Sequence, residues 1–223
     1  MGCYENSAGQ LDCPTDVTYL NDDNILVADP LNHRIQQLNV QTGNSVKSFG
    51  KKGTRDGEFR NPFSVCVDDE GRVIVADYCN TRVQVLSQDG EPLLKFGDSG
   101  PEKLSQPRSC VYHENKFIVS DRVTNCLKVF DNTGKFLYKI GEEGEGDGQL
   151  KSPKGLCLQK CRKHHNLLVC NFDNGRVDQF TLDGCFTGKT TDKFKTSPSR
   201  ITTTPDGLIL VSDWNANKIY ILK

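Results

Sequence analysis

The residue types best suited to chemistry cluster in one stretch, Cys157-x3-Cys161-x2-His164-His165-x4-Cys170, which carries the thiols and imidazoles of a tetrahedral zinc site. Their spacing works against a shared ion. Cys157 and Cys170 belong to two apolar runs that read as the arms of a hairpin. Cys161, His164 and His165 then fall at its other end, about 13 Å away at roughly 3.3 Å per residue. Zinc bonds of about 2.0 to 2.3 Å cannot reach both groups. Only Cys161, His164 and His165 could converge, and the expected reading is a solvated loop without metal or cofactor. The other histidines, His33 and His113, do not stand at matching positions of an inner strand, and no nucleophile is brought beside a base. No catalytic residue is expected.

A second set suits recognition. Phe63, Tyr78, Phe172 and Trp214 are interspersed with Arg108, Arg122, Lys154 and Arg200. Aromatic anchors among arginines supply the central contacts of protein interfaces. The same residues stack and neutralise single-stranded RNA. Whether they meet depends on the elements that carry them.

Those elements are repeats. Opening prolines fall at Pro14, Pro62, Pro107, Pro153 and Pro198, at intervals of 48, 45, 46 and 45. The acid or amide that ends the second apolar run recurs as Asp29, Asp77, Asp121, Asn171 and Asp213. A base follows five positions later as Arg34, Arg82, Arg176 and Lys218, with Cys126 in the third copy. The clearest copy, Gly57 to Gly97, has four apolar runs of about four residues, rich in Val and Leu and separated by turn-formers. That pattern predicts four short strands joined by hairpins. Gly43, Gly90, Gly134 and Gly184 stand where a tight hairpin needs positive φ. A period of about 45 residues with four strands per unit predicts an all-β β-propeller of four-stranded blades, with five copies visible: a five-bladed ring, or part of a six-bladed one.

The copies run from about 9–50, 57–97, 104–141, 148–189 and 196–223. Residues 1–8 precede them and could supply a closing strand for the last copy, which reaches only its third strand. In the fourth copy, Pro153 to Asn171 takes 18 steps where Pro62 to Asp77 takes 15, so its first hairpin is expected to be longer. In such a blade the approach to the first strand and the second-to-third connection open on one side, which is expected to gather the eight recognition residues. The repeated Asp–Arg pairs read instead as braces, because they recur in every blade whereas a site needs asymmetry.

The 223 residues suffice for one repeat domain. With 28 Lys plus Arg against 29 Asp plus Glu, the net charge of -1 leaves nucleic-acid binding to a local patch. DNA is not an expected partner. No apolar run is long enough to span a bilayer, Met1 to Gln10 lacks the pattern of a signal peptide, and Asn6 breaks the myristoylation motif. No membrane contact is expected. Cys66, Cys110 and Cys157 lie in first strands as small fillers, so the ten cysteines are expected to be reduced and the chain cytoplasmic.

The run Pro-x-x-Val-x-Val-Asp-x-x-Gly-x-(Ile/Val)-x-Val-Ala-Asp-x-x-Asn-x-Arg-(Ile/Val)-Gln-Val, clearest at Pro62 to Val85 and echoed from Pro14 to Leu38, resembles the NHL repeat. Val211-Ser-Asp-Trp-Asn-Ala-Asn-Lys-Ile and Val119-Ser-Asp-Arg match less fully. The resemblance implies a six-bladed propeller like the C-terminal module of tripartite-motif ubiquitin ligases, where it recruits a protein or an RNA. It carries neither RING nor B-box zinc modules, so ligase activity would belong to a longer protein. The expected function is recruitment of a protein partner, with selective single-stranded RNA binding as the alternative and a propeller lyase or hydrolase behind both.

Overall fold

The computed structural model describes residues 7–160, 165–190 and 197–222. It is an all-β propeller architecture in which every repeat becomes a run of short strands. The first copy gives β1 (Asp16–Tyr19), β2 (Asn24–Asp29), β3 (Arg34–Asn39) and β4 (Ser45–Phe49). The second gives β5 (Pro62–Val67), β6 (Val73–Asp77), β7 (Arg82–Leu86) and β8 (Pro92–Phe96). The third supplies β9 (Pro107–His113), β10 (Lys116–Asp121), β11 (Cys126–Asp131) and β12 (Phe136–Ile140). A short parallel pair, β13 (Glu142–Glu143) and β14 (Gln149–Leu150), leads into the fourth copy's β15 (Pro153–Lys160), β16 (His165–Asn171), β17 (Arg176–Phe180) and β18 (Phe186–Lys189). The fifth gives β19 (Pro198–Thr203), β20 (Ile209–Asp213) and β21 (Lys218–Leu222). Among the described residues, no helix is long and apolar enough to cross a membrane.

Strands extend one or two residues past the apolar runs, because the flanking polar residues still pair: Pro62 lies opposite Asp77, and Asp77 opposite Arg82. The hairpin glycines behave as their turns demand. Gly43, Gly90, Gly134 and Gly184 have φ of 70°, 88°, 83° and 97°. The longer first hairpin of the fourth copy appears as the extended strands β15 and β16. Its tip, with Cys161 and His164, and most of the suggested closing strand at residues 1–8 lie outside the described residues.

The chain divides into two compact units, Met1–Phe117 with Asp131–Lys135, and Ile118–Phe130 with Phe136–Lys223. In the first, the sheets β1-β2-β3-β4 and β5-β6-β7-β8 share one core. Leu26, Ala28, Ile35 and Phe49 of the first blade meet Val65, Val73, Val75 and Leu86 of the second. Alternate residues of each strand point into this layer, which is why apolar side chains recur at every second position. Phe59, from the linker between blades, is fully buried in the same core. Gly50, at φ 91°, makes room for it, since a Cβ there would overlap the Phe59 ring. Leu104 folds over Gly97 in the same way.

The second unit repeats the scheme with β15-β16-β17-β18 and the three-stranded β19-β20-β21. Leu168, Cys170 and Val177 pack against Val211, with Ile201, Ile209, Tyr220 and Leu222 around them. A Cβ on Gly155 would come within 2.8 Å of the Ser199 carbonyl and 2.9 Å of the Arg200 Cα, so β15 and β19 run at backbone contact. Leu150 folds over Gly141.

Candidate binding site

At the end of each second strand sits a buried carboxylate or amide, and in the first, second, fourth and fifth copies it bonds to the incoming linker. Asp77 Oδ2 accepts from Arg82 Nε at 3.0 Å and from Asn80 at 2.7 Å, while Oδ1 accepts the Arg60 N–H at 2.7 Å. Arg82 then donates to the carbonyls of Thr54, Arg55 and Glu58 at 2.9, 2.7 and 2.8 Å. Burial pushes the Asp77 carboxyl up, against the pull of the Arg60 N–H, Asn80 and Arg82. The first blade matches, with Arg34 Nε on Asp29 at 2.9 Å and the Asp12 N–H on its other oxygen at 2.7 Å.

The third and fourth copies keep the brace but move its charges. In the third, where Cys126 replaces the arginine, Lys128 Nζ lies 3.2 Å from Asp121, and both are buried. In the fourth, Arg176 pairs not with Asn171 but with Asp178, at 2.8 Å. Asn171 donates to Asp178 at 2.5 Å and to the Gln149 carbonyl at 2.9 Å, so the amide supplies the contact that a second carboxylate could not. In the fifth, Lys218 is exposed, and Asp213 accepts the N–H groups of Asn215 and Ala216 at 3.1 and 2.9 Å. Lys128 and Asp178 stand seven residues after the acid or amide, the position of Gln36 and Gln84, which reading the fifth position alone does not reveal.

A second link joins neighbouring blades within each unit. The residue four after the acid or amide has positive φ in every copy: His33 56°, Thr81 54°, Asn125 51°, Gly175 62° and Asn217 51°. His33 Nδ1 accepts the Asn61 N–H at 3.2 Å, and Asn125 Oδ1 accepts the Ser152 N–H at 2.8 Å. Asn61 and Ser152 precede opening prolines and are themselves left-handed, at 56° and 50°. The sequence signal was present in Asn125, Gly175 and Asn217, residues that tolerate this conformation.

Three of the predicted recognition residues meet in the first unit. The Phe63 and Tyr78 rings lie 4.8 Å apart at 53°, and the Arg108 guanidinium sits 4.2 Å above Phe63 and 4.9 Å from Tyr78. All three are half-buried. Phe63 is the second residue of β5, Tyr78 follows β6 and Arg108 is the second residue of β9, so the cluster forms where one blade's loop meets the next blade's first strand.

In the second unit, Lys154 Nζ stands 2.9 Å above the centre of the Phe172 ring. Burial raises the Cys170 thiol to about 12, opposed by the charges of Arg200 and Lys154. Arg122 is half-buried directly after β10. Trp214 is 71% exposed, beside a depression lined by Ser199, Ser212, Asn215 and Asn217. Cys66, raised well above the usual range by the Cys110 thiol and by burial, is packed as a small apolar group. The eight cysteines among the described residues are free thiols. On the fourth hairpin Cys157 faces Leu168 while His165 faces Lys160, so these two members of the considered zinc cluster sit at different ends.

NHL repeats occupy residues 11–38 and 59–86, and residues 102–189 match a family described as a 6-bladed beta-propeller. The chain is 50% identical over 50 residues to Protein lin-41 of Caenorhabditis elegans, a match covering 22% of this chain and 4% of that protein. It is 42% identical over 60 residues to Protein wech of Drosophila melanogaster, covering 26% and 7%. With E3 ubiquitin-protein ligase TRIM71 of Xenopus tropicalis it shares 51% over 43 residues, covering 19% and 5%. The matched stretches thus span only 4% to 7% of these relatives' own length. Among solved structures, virginiamycin B lyase from Staphylococcus aureus superimposes with a TM-score of 0.72 at 14% identity, covering 94% of this chain and 66% of that one. A chain of a nidogen/laminin complex gives 0.73 at 15%, covering 93% and 74%. One fold thus serves a lyase and a member of a protein complex, so function must be argued from side chains.

Proposed function

We propose that this propeller is a non-catalytic binding module that recruits a protein partner through loop-end clusters of cations and aromatic rings. The observation that carries this reading is the Arg108 guanidinium held over both Phe63 and Tyr78. Stacking presets the plane of a guanidinium, a group whose geometry suits a partner's carboxylate. It also covers the ring faces that a nucleobase would need. The net charge of -1 offers no general attraction for a polyanion. Lys154 over Phe172 repeats the device in the second unit, where the exposed Trp214 adds an aromatic anchor. The TRIM71 relatives are ubiquitin ligases by name, and by analogy such a module would select the protein to be modified, with catalysis elsewhere in a longer chain.

Cross-linked capture with Arg108→Glu and Trp214→Ala variants tests this. Proteins recovered by the wild type should be lost from both variants while their thermal melts stay cooperative. Retention of every partner by both variants would sink the assignment. A short single-stranded RNA bound with steep salt dependence, and released by Arg108→Glu, would move it to RNA.

A further inference from the structure

The linkers that lead into the second and fourth blades are built alike, position for position. Phe59 is seated over Gly50 as Leu150 is over Gly141. Asn80 Nδ2 donates to the Gly53 carbonyl at 2.9 Å, and Asn174 Nδ2 to the Gly144 carbonyl at 2.9 Å. Arg82 Nη1 donates to the Thr54 carbonyl at 2.9 Å, and Arg176 Nη1 to the Glu145 carbonyl at 2.8 Å. The Arg60 N–H bonds to Asp77 at 2.7 Å, and the Lys151 N–H to Asn171 at 2.8 Å. Thr54 is therefore the counterpart of Glu145, and Arg60 of Lys151.

Charge is where the two linkers part. Lys51 and Lys52 of the second stand where the fourth has Glu142 and Glu143. In the fourth, the Glu145 carboxylate pairs with Lys151 Nζ at 3.0 Å. The second keeps the cation as Arg60 but has a hydroxyl in place of the acid. A phosphate ester on Thr54 would restore the missing anion, since its terminal oxygens stand the same number of bonds from Cα as those of glutamate, with greater charge. The site also suits a kinase. Lys51, Lys52 and Thr54 are exposed, in a segment between β4 and β5 that belongs to no blade sheet. The two lysines stand three and two residues before the hydroxyl, placing positive charge where an acidic substrate groove can select it.

We propose that Thr54 is a phosphorylation site for a serine/threonine kinase with an acidic substrate groove, and that Arg60 receives the phosphate as Lys151 receives Glu145. In the transfer, Thr54 Oγ1 bonds to the γ-phosphorus of the kinase's magnesium-bound ATP. The bond from that phosphorus to the β,γ-bridging oxygen breaks, ADP leaves, and the hydroxyl proton passes to the kinase's catalytic aspartate. The added phosphate brings a charge of about -1.5 to -2 into a linker where Lys51, Lys52, Arg55 and Arg60 outweigh Asp56 and Glu58.

Incubating the whole folded chain with magnesium, ATP and the catalytic subunit of cyclic AMP-dependent protein kinase, followed by peptide mass spectrometry, tests the site. A phosphate should map to Thr54 and be absent from Thr54→Ala. Lys51→Glu/Lys52→Glu, which copies the fourth linker, should slow transfer several-fold with a wild-type circular dichroism spectrum. Should that variant fail to fold, Lys52→Gln alone should still slow it. Phosphorus NMR then reads the pairing: the phosphothreonine should titrate below its usual value of about 6, and Arg60→Gln should raise it. A folded chain left unmodified at Thr54, or modified as fast without the lysines, would overturn the site. A phosphate that titrates identically with and without Arg60 would overturn its pairing.

Discussion

Lys128 Nζ lies 3.2 Å from the Asp121 carboxylate, doing from the seventh position what arginine does from the fifth in the first two blades. With Asp121 at 0% exposure, removing the cation strands a buried charge. Lys128→Met should cost about 3 to 5 kcal/mol. Adding Asp121→Asn to Lys128→Met should recover much of that loss, since no unpaired charge then remains. Urea midpoints of the single and double variants check both outcomes.

Gly97 and Gly43 separate backbone strain from overlap. Both have positive φ, 86° and 70°, but a Cβ on Gly97 would run into Leu104 while nothing lies within 4 Å of one on Gly43. Gly43→Ala should cost only the conformational penalty, about 1 to 2 kcal/mol. Gly97→Ala should lose a further ~1 to 3 kcal/mol, because the buried Leu104 must shift. Equal midpoints for the two variants would show that the linker yields freely.

His33 makes the first unit sensitive to acid. Its imidazole accepts the Asn61 N–H, and burial, then Lys52 and Arg60, hold its pKa below the ordinary value of 6.5. Below about pH 6.5 the unfolded chain takes up a proton that the folded chain resists. The stabilisation is therefore complete above that pH and is lost as pH falls through it towards the folded value. His33→Asn, the residue found at the matching position as Asn125, should keep the bond and remove this part of the pH dependence. Denaturation of both proteins at pH 7.5 and pH 5.5 measures it; parallel losses would rule out His33 as the source.

Much of the fold was legible because its signals are local and repeated. Proline spacing, alternating valines and hairpin glycines each act within a few residues, and five copies let them be cross-checked. What escaped were contacts made across the repeat. Phe59 reads as part of the second copy but packs in the core shared with the first, and the parallel pair β13–β14 has no alternation to announce it. The braces at Asp121 and Asn171 were half legible, since the acid or amide kept its place while the compensating charge moved two residues along. At the candidate site, the composition of the cluster was readable. The stacking of Arg108 on two rings was not, because it depends on how closely β9 approaches β5.

Phe59, Leu104 and Leu150, each seated over a glycine that ends the blade before it, also bear on how such a chain can grow. The second, third and fourth copies thus each bring the stopper for their predecessor, so the end of a blade is sealed only once the chain has entered the next. A segment duplicated at one of these linkers would carry its own stopper with it.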